Sequence, residues 1–175
     1  MDHYQGVVEN YLRADRSVFV NPEFCLQLAP SKPLSDSGTM WHLDHLAVDM
    51  RRQTVFLCEI AYSHSLAAMV RRLATWSEHW EEIEIALERD ACIPRTFAKR
   101  PWVFIPANLI NAFLRKYSED VLMGFFDPLV TPLEMTAPWS YCTWNRIGEA
   151  SKDGYGIPPE MRSLEAHGLN HQAAL

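Results

Sequence analysis

Residues 41–65 read WHLDHLAVDMRRQTVFLCEIAYSHS, and the interpretation of this stretch decides the fold. Two apolar runs, TMWHLDHLAVD (39–49) and QTVFLCEIAY (53–62), are joined through DMRRQ, so the chain predicts an antiparallel hairpin. Asp49 belongs to the turn, where aspartate is at home. Asp44 and Glu59 are harder to place. Side chains two apart share a strand face, so His42, Asp44 and Leu46 are expected on one side and His45 on the other. In the second strand Leu57, Glu59 and Ala61 are expected together, opposite Cys58 and Ile60. Pairing then sets Asp44 beside Glu59. Two close carboxylates repel, and one pKa rises unless a cation lies between them. A magnesium or manganese ion suits such a pair. It takes oxygen ligands and needs only one or two protein carboxylates, with water and phosphate completing the shell.

Outward from the hairpin, residues 3–15 predict a helix, because Tyr4, Val7, Val8, Tyr11 and Leu12 recur at three- and four-residue intervals. SVFVNPEFCLQLAP (17–30) reads as extended, with Pro22 marking a bend or a sheet edge. After the hairpin, Leu66, Met69, Val70, Leu73, Trp76, Trp80, Ile83 and Leu87 form one apolar stripe, predicting a single long helix from Ser65 to about Arg89. PWVFIP (101–106) reads as a short strand bounded by prolines, ANLINAFLRKY (107–117) as a second amphipathic helix, and TPLEMTAPWSYCTW (131–144) as a last extended segment. The order predicts an α/β fold, a sandwich of helices about a mixed β-sheet. Residues 1–146 make one domain, and 147–175 a loosely ordered tail.

Composition narrows the function classes. The 175 residues are 48% hydrophobic and 22% charged, which is ordinary for a globular domain. No apolar run reaches the roughly 18 residues that span a bilayer, and the N-terminus has no secretory core. Four scattered cysteines, Cys25, Cys58, Cys92 and Cys142, argue against structural zinc and for reduced thiols in the cytoplasm. The net charge of −6 counts against a generally basic surface but allows a local basic cleft. There is no Gly-rich phosphate loop, YSHS (62–65) lacks the glycines of a nucleophile elbow, and no Ser-His-Asp or Cys-His set follows from spacing.

With Glu9 on the first helix, HLDHLA around Asp44, VFLCEIA around Glu59 and a helix following, the sequence resembles the PD-(D/E)xK nuclease superfamily over roughly residues 3–106. That resemblance implies a restriction-endonuclease-like α/β/α sandwich with an αβββαβ core. It implies an endonuclease that hydrolyses phosphodiester bonds in DNA with Mg²⁺ or Mn²⁺. By the same resemblance Asp44, Glu59 and the backbone carbonyl of Ile60 hold the metal, and Glu9 assists through water. One position departs from the pattern: where the family has lysine, two residues after Glu59, this chain has Ala61. A methyl group cannot position water or stabilise charge at phosphorus. Arg71, Arg72 or His64 are candidates to supply the missing cation. Arginine stays protonated and is a poor base, but it stabilises developing negative charge. The alternative is a catalytically inactive nuclease-fold protein serving as a protein- or nucleic-acid-interaction module. DNA is the expected partner of the active form, and a second copy or another protein is a further candidate partner in either case. No membrane partner is expected.

Each candidate has a plainer reading beside it. Asp44 and Glu59 could hold backbone amides or pair with Arg51 and Arg52, and Glu9 could be a solvated helix residue. His42 with Asp44 and Glu59 is a further metal set. Trp76 and Trp80 suggest base stacking, but their spacing places them on the core stripe. Lys99 and Arg100, with Arg71 and Arg72, are the candidate nucleic-acid contacts; the plain reading of RTFAKRPW (95–102) is an ordinary charged connector.

Overall fold

The hairpin forms, and its strands lie inside a five-stranded mixed sheet. The computed structural model describes residues 3–28, 40–62, 66–120 and 128–136. In chain order the elements are α1 (His3–Arg13), β1 (Val18–Gln27), β2 (Met40–Asp49), β3 (Thr54–Ile60), α2 (Ala67–Glu78), α3 (Trp80–Ala91), β4 (Ala98–Ile105), α4 (Ile110–Asp120) and β5 (Leu129–Pro132). The strands lie in sequence order. β1, β2 and β3 form an antiparallel meander, whereas β4 and β5 run parallel to β3. Helices flank the sheet, so the α/β architecture and the αβββαβ order expected of a restriction-endonuclease-like fold are both present.

Asp49 closes the hairpin as its sequence context predicts. Its Oδ1 accepts the N–H groups of Arg51 (2.9 Å) and Arg52 (3.0 Å), and Gln53 takes the left-handed φ of 51° that completes the turn. Pro22 sits within β1 rather than ending it. Among the described residues β1 pairs only with β2, and an edge strand tolerates a residue without an N–H.

Each sheet face carries its own core. On one, Val8, Tyr11 and Leu12 of α1 pack with Ala47, Phe56, Cys58, Trp102, Phe104 and Leu129. Trp102 is fully buried, and its indole N–H donates to Thr131 Oγ1 at 2.8 Å, so the ring carries no unpaired donor into the core. On the other face, Leu66, Met69, Val70, Leu73, Trp76, Ile83 and Leu87 cover Leu43, Leu46, Val55, Leu57 and Val103. Trp76 is fully buried, and Trp80 packs half-buried against the same cluster. The pair is core, as its helical spacing indicates.

Two boundaries differ from those predicted. The helix expected over 65–89 is two helices, broken at His79, whose φ of −118° and ψ of 27° leave the helical region. No glycine or proline stands there to signal a break. The His79 ring instead meets Trp41 of β2 edge-on, with centroids 5.4 Å apart, a tertiary contact that local sequence does not encode. β4 begins at Ala98 rather than Pro101. Ala98 N–H and Phe104 C=O both bond toward β3, so alternation turns the Pro101 nitrogen to the other side. There, among the described residues, β5 begins opposite Trp102, and no ladder bond is lost. Of the last extended segment, residues 131–132 belong to β5 and 133–136 form a 3₁₀ turn. Residues 137–144, the tail from 147 and His64 lie outside the described residues.

Candidate active site

The β2–β3 register pairs His45 with Cys58, so Asp44 and Glu59 occupy the next opposed positions. The ladder stops there because a side chain replaces it. Asp44 Oδ2 accepts the N–H of Ile60 at 2.7 Å, and its Oδ1 accepts Nε2 of Gln5, on α1, at 2.8 Å. Holding a backbone amide is thus part of what Asp44 does. The alternation expected for His42, Asp44 and Leu46 fails at the same point. Leu43 and Leu46, three apart, both enter the core beneath α2 and α3. Across on β1, Glu23 takes a left-handed φ of 53° between the registered pairs Pro22–His45 and Phe24–Leu43. The two strands depart from regular pleating side by side, and the Asp44 carboxylate turns toward β3.

Glu59 is 2% exposed. Its Oε2 accepts Nη1 of Arg72 at 2.6 Å, while Oε1 is buried with no hydrogen-bond partner. Burial pushes its pKa up to about 8. The guanidinium of Arg72 opposes that rise, and the nearby charge of Asp44 adds to it. A 2.6 Å guanidinium contact favours the anion and burial favours the acid. Burial is the larger effect, because one oxygen has lost its water and gained no donor. Arg72 is thus the cation beside the second acid, on α2, one of the positions named in place of the family lysine. Ala61 packs against the core under α2. The guanidiniums of Arg51 and Arg52 serve other acids, lying 3.7 Å from Asp15 and 3.9 Å from Asp49.

Glu9 is brought elsewhere. It is buried on α1, paired with Arg13 at 2.6 Å, and its charge acts on His45 rather than on Glu59. His45 faces α1 with both ring nitrogens buried and unpaired, and burial lowers its pKa. His42 is exposed, its Nδ1 3.0 Å from Sγ of Cys25, its registered partner on β1. No group of three or more His, Cys, Asp or Glu with metal-binding geometry occurs among the described residues. Neither His42 nor Glu9 joins Asp44 and Glu59 in such a group.

Lys99 and Arg100 lie at the opposite end of the sheet. They register with Val55 and Phe56, whereas Glu59 registers with Val103, roughly 10–13 Å farther along the strand at about 3.3 Å per residue. The Lys99 side chain is 4% exposed and donates to the Arg95 carbonyl at 2.9 Å, so it braces the α3–β4 connection instead of meeting solvent.

Two solved structures are similar in shape. An XisH family protein from Nostoc punctiforme PCC 73102 aligns with a TM-score of 0.44 and 13% identity, covering 78% of this chain and 95% of its own. An fdxN element excision controlling factor protein from Anabaena variabilis aligns with a TM-score of 0.41 and 12% identity, covering 75% of this chain and 95% of its own. No protein-family model and no curated protein matches the sequence. The fold is defined by the order and pairing of its strands.

Three features near the acids carry no signal in the sequence. Gln5 reaches Asp44 from a helix 39 residues away. Tyr4 and Tyr62, both exposed, stack with centroids 4.7 Å apart beside Gln5 and the end of β3. A cavity of about 360 Å³ opens between β2 and α2, lined by Trp41, His42, Ala68, Arg71, Arg72, Thr75 and Trp76. All three depend on how helices lie over strands.

Proposed function

We propose that this chain is a metal-dependent hydrolase of phosphodiester bonds in DNA, with Asp44 and Glu59 as its acidic centre. The observation that supports this most is the buried Oε1 of Glu59, which has no donor and stands under the field of Asp44. A protein interior does not ordinarily keep such an oxygen, and a bound cation would satisfy it. The donor set fits Mg²⁺ or Mn²⁺: Asp44 and Glu59 supply carboxylate oxygens, the Ile60 carbonyl a third, and water and phosphate the remainder. The ion, when bound, would lower the pKa of its water and polarise a phosphoryl oxygen.

The protein's own groups have separate tasks. Gln5 and the Ile60 N–H fix the Asp44 carboxylate, so its orientation precedes ligand binding. Glu59 would hold a cation only in its ionised form, releasing its proton to solvent, and its raised pKa would make that binding pH-dependent. Arg72 holds the Glu59 charge from α2 and lines the adjoining cavity, where its fixed positive charge would stabilise the charge that grows on phosphorus. It acts as an electrostatic group and not as a base. Glu9 keeps its place against Arg13 and His45 and is assigned no part.

Ala61 favours a second reading, in which the fold acts as an interaction module without chemistry. One experiment separates the two. Purified protein is incubated with plasmid and single-stranded DNA in Mg²⁺ or Mn²⁺, beside Asp44→Asn and Glu59→Gln. Nicking by the parent that both substitutions abolish supports the hydrolase, and absence of cleavage of any DNA by the parent overturns it.

A further inference from the structure

We propose that the cavity between β2 and α2 is a nucleotide site, taking the phosphate of a strand-terminal nucleotide on Arg71 and its base against Trp41. The strand-end assignment rests on the DNA-hydrolase reading, whereas nucleotide binding itself does not.

Charge makes the first argument. The chain carries −6 overall, yet among the described residues this wall bears two guanidiniums and an imidazole and no carboxylate. Arg72 is engaged by Glu59 within the site, but Arg71 is exposed on the same helix, and its fork suits the oxygens of a phosphate monoester. Nδ1 of His42 is engaged by Cys25, so a ligand contact from this ring would come from Nε2. These groups select an anion rich in oxygen.

Shape makes the second. A volume of about 360 Å³ exceeds what inorganic phosphate needs and lies within the ~300–1,000 Å³ range of small-molecule sites. The remaining wall is aromatic and small: Trp41 is half-buried, Trp76 forms the floor, and Ala68 and Thr75 leave room beside them. An indole offers a stacking face to any base without sequence preference. Position makes the third, since Arg72 belongs both to the cavity wall and to the ion pair with Glu59. A nucleotide seated here is held next to the acids.

The test is calorimetric titration in EDTA, which removes the metal and hence cleavage. Deoxyadenosine 5′-monophosphate is compared with deoxyadenosine and with inorganic phosphate. The nucleotide is expected to bind at least about tenfold more tightly than either fragment. Arg71→Gln, a surface change that leaves the fold intact, is expected to weaken it about tenfold. Trp41→Phe keeps a ring and retains binding, while Trp41→Leu keeps apolar bulk and loses it. A nucleotide that binds no better than phosphate, or equally well to Arg71→Gln, overturns the site. A 5′-phosphorylated oligonucleotide is expected to displace the nucleotide where its 5′-hydroxyl counterpart does not. Failure of both to displace it overturns the strand-end source. Nucleotide binding without DNA cleavage would remove the hydrolase reading alone, and cleavage without nucleotide binding would remove the pocket alone.

Discussion

Arg72 places its guanidinium 2.6 Å from a glutamate that is almost wholly removed from water, Glu59. The two come from different layers, Glu59 from the end of β3 and Arg72 from the second turn of α2. Once ionised, the acid depends on that guanidinium, because without it a buried charge would lose its counter-charge.

Removing that counter-charge is therefore pH-sensitive. Arg72→Ala is expected to cost roughly 1–3 kcal/mol, below the value for a fully buried pair because Arg72 is about half exposed. The loss is expected to be largest above pH 8, where Glu59 must ionise, and small near pH 5–6, where it keeps its proton. Urea denaturation of both proteins at pH 5.5 and 8.5 checks this. An equal loss at the two pH values contradicts the assignment.

Glu59 itself makes stability fall as pH rises. Its folded pKa, about 8, lies above the unfolded value, so the folded state holds the extra proton between them. The resulting stability is complete below the unfolded pKa and disappears as pH climbs through 8. The slope is at most about 1.4 kcal/mol per pH unit for one proton. His45 acts in the other sense, because its lowered pKa costs stability as pH falls through the ordinary histidine range. The clean window is thus pH 7 to 9, where Glu59→Gln is expected to flatten the decline of the melting temperature seen in the parent.

Much of this arrangement is legible in the chain. The hairpin follows from period-two alternation around DMRRQ, and the helical stripe from Leu66 to Leu87 survives even though the helix breaks within it. Both are local signals. What escaped depends on elements meeting. The sequence does not rank Arg71 against Arg72, and it is the lie of α2 over β3 that sets the Arg72 guanidinium beside Glu59. The opposite exposure of Lys99 arises because β4 starts before its prolines and draws the side chain under α3. The turn of Asp44 out of its face requires the irregular Glu23 on the neighbouring strand. Glu9 shares its helix with Gln5, yet Gln5 is the residue that touches the acid. A helix register cannot be fixed from periodicity alone.

Trp102 offers a check on the opposite core. Its indole packs edge-on to Phe56 at 4.8 Å and to Tyr11 at 6.3 Å, and its N–H satisfies Thr131. Trp102→Ala is expected to destabilise by about 3–5 kcal/mol. Trp102→Phe keeps most of the ring and removes the hydrogen bond, leaving a buried hydroxyl without its donor at a cost of about 1–3 kcal/mol. Chemical denaturation gives both values, and a Phe variant as damaged as the Ala variant would place the energy in the bond rather than in packing.

Asp44 joins structure to the proposed chemistry, so its substitutions should divide the two. Asp44→Ala leaves the Ile60 N–H and the Gln5 amide without their acceptor and is expected to cost about 1–3 kcal/mol. Asp44→Asn keeps one acceptor oxygen for Ile60 and is expected to cost less. Metal tells them apart from the parent in a different way. The parent is expected to gain melting temperature with millimolar Mn²⁺, and more at pH 8.5 than at pH 6.5, because the ion must displace the proton on Glu59. Asp44→Asn, though nearly as stable without metal, is expected to lose that gain at both pH values. Scanning calorimetry with and without Mn²⁺ measures it, and a gain that is independent of pH or unchanged in Asp44→Asn would show that the ion binds somewhere other than between these two acids.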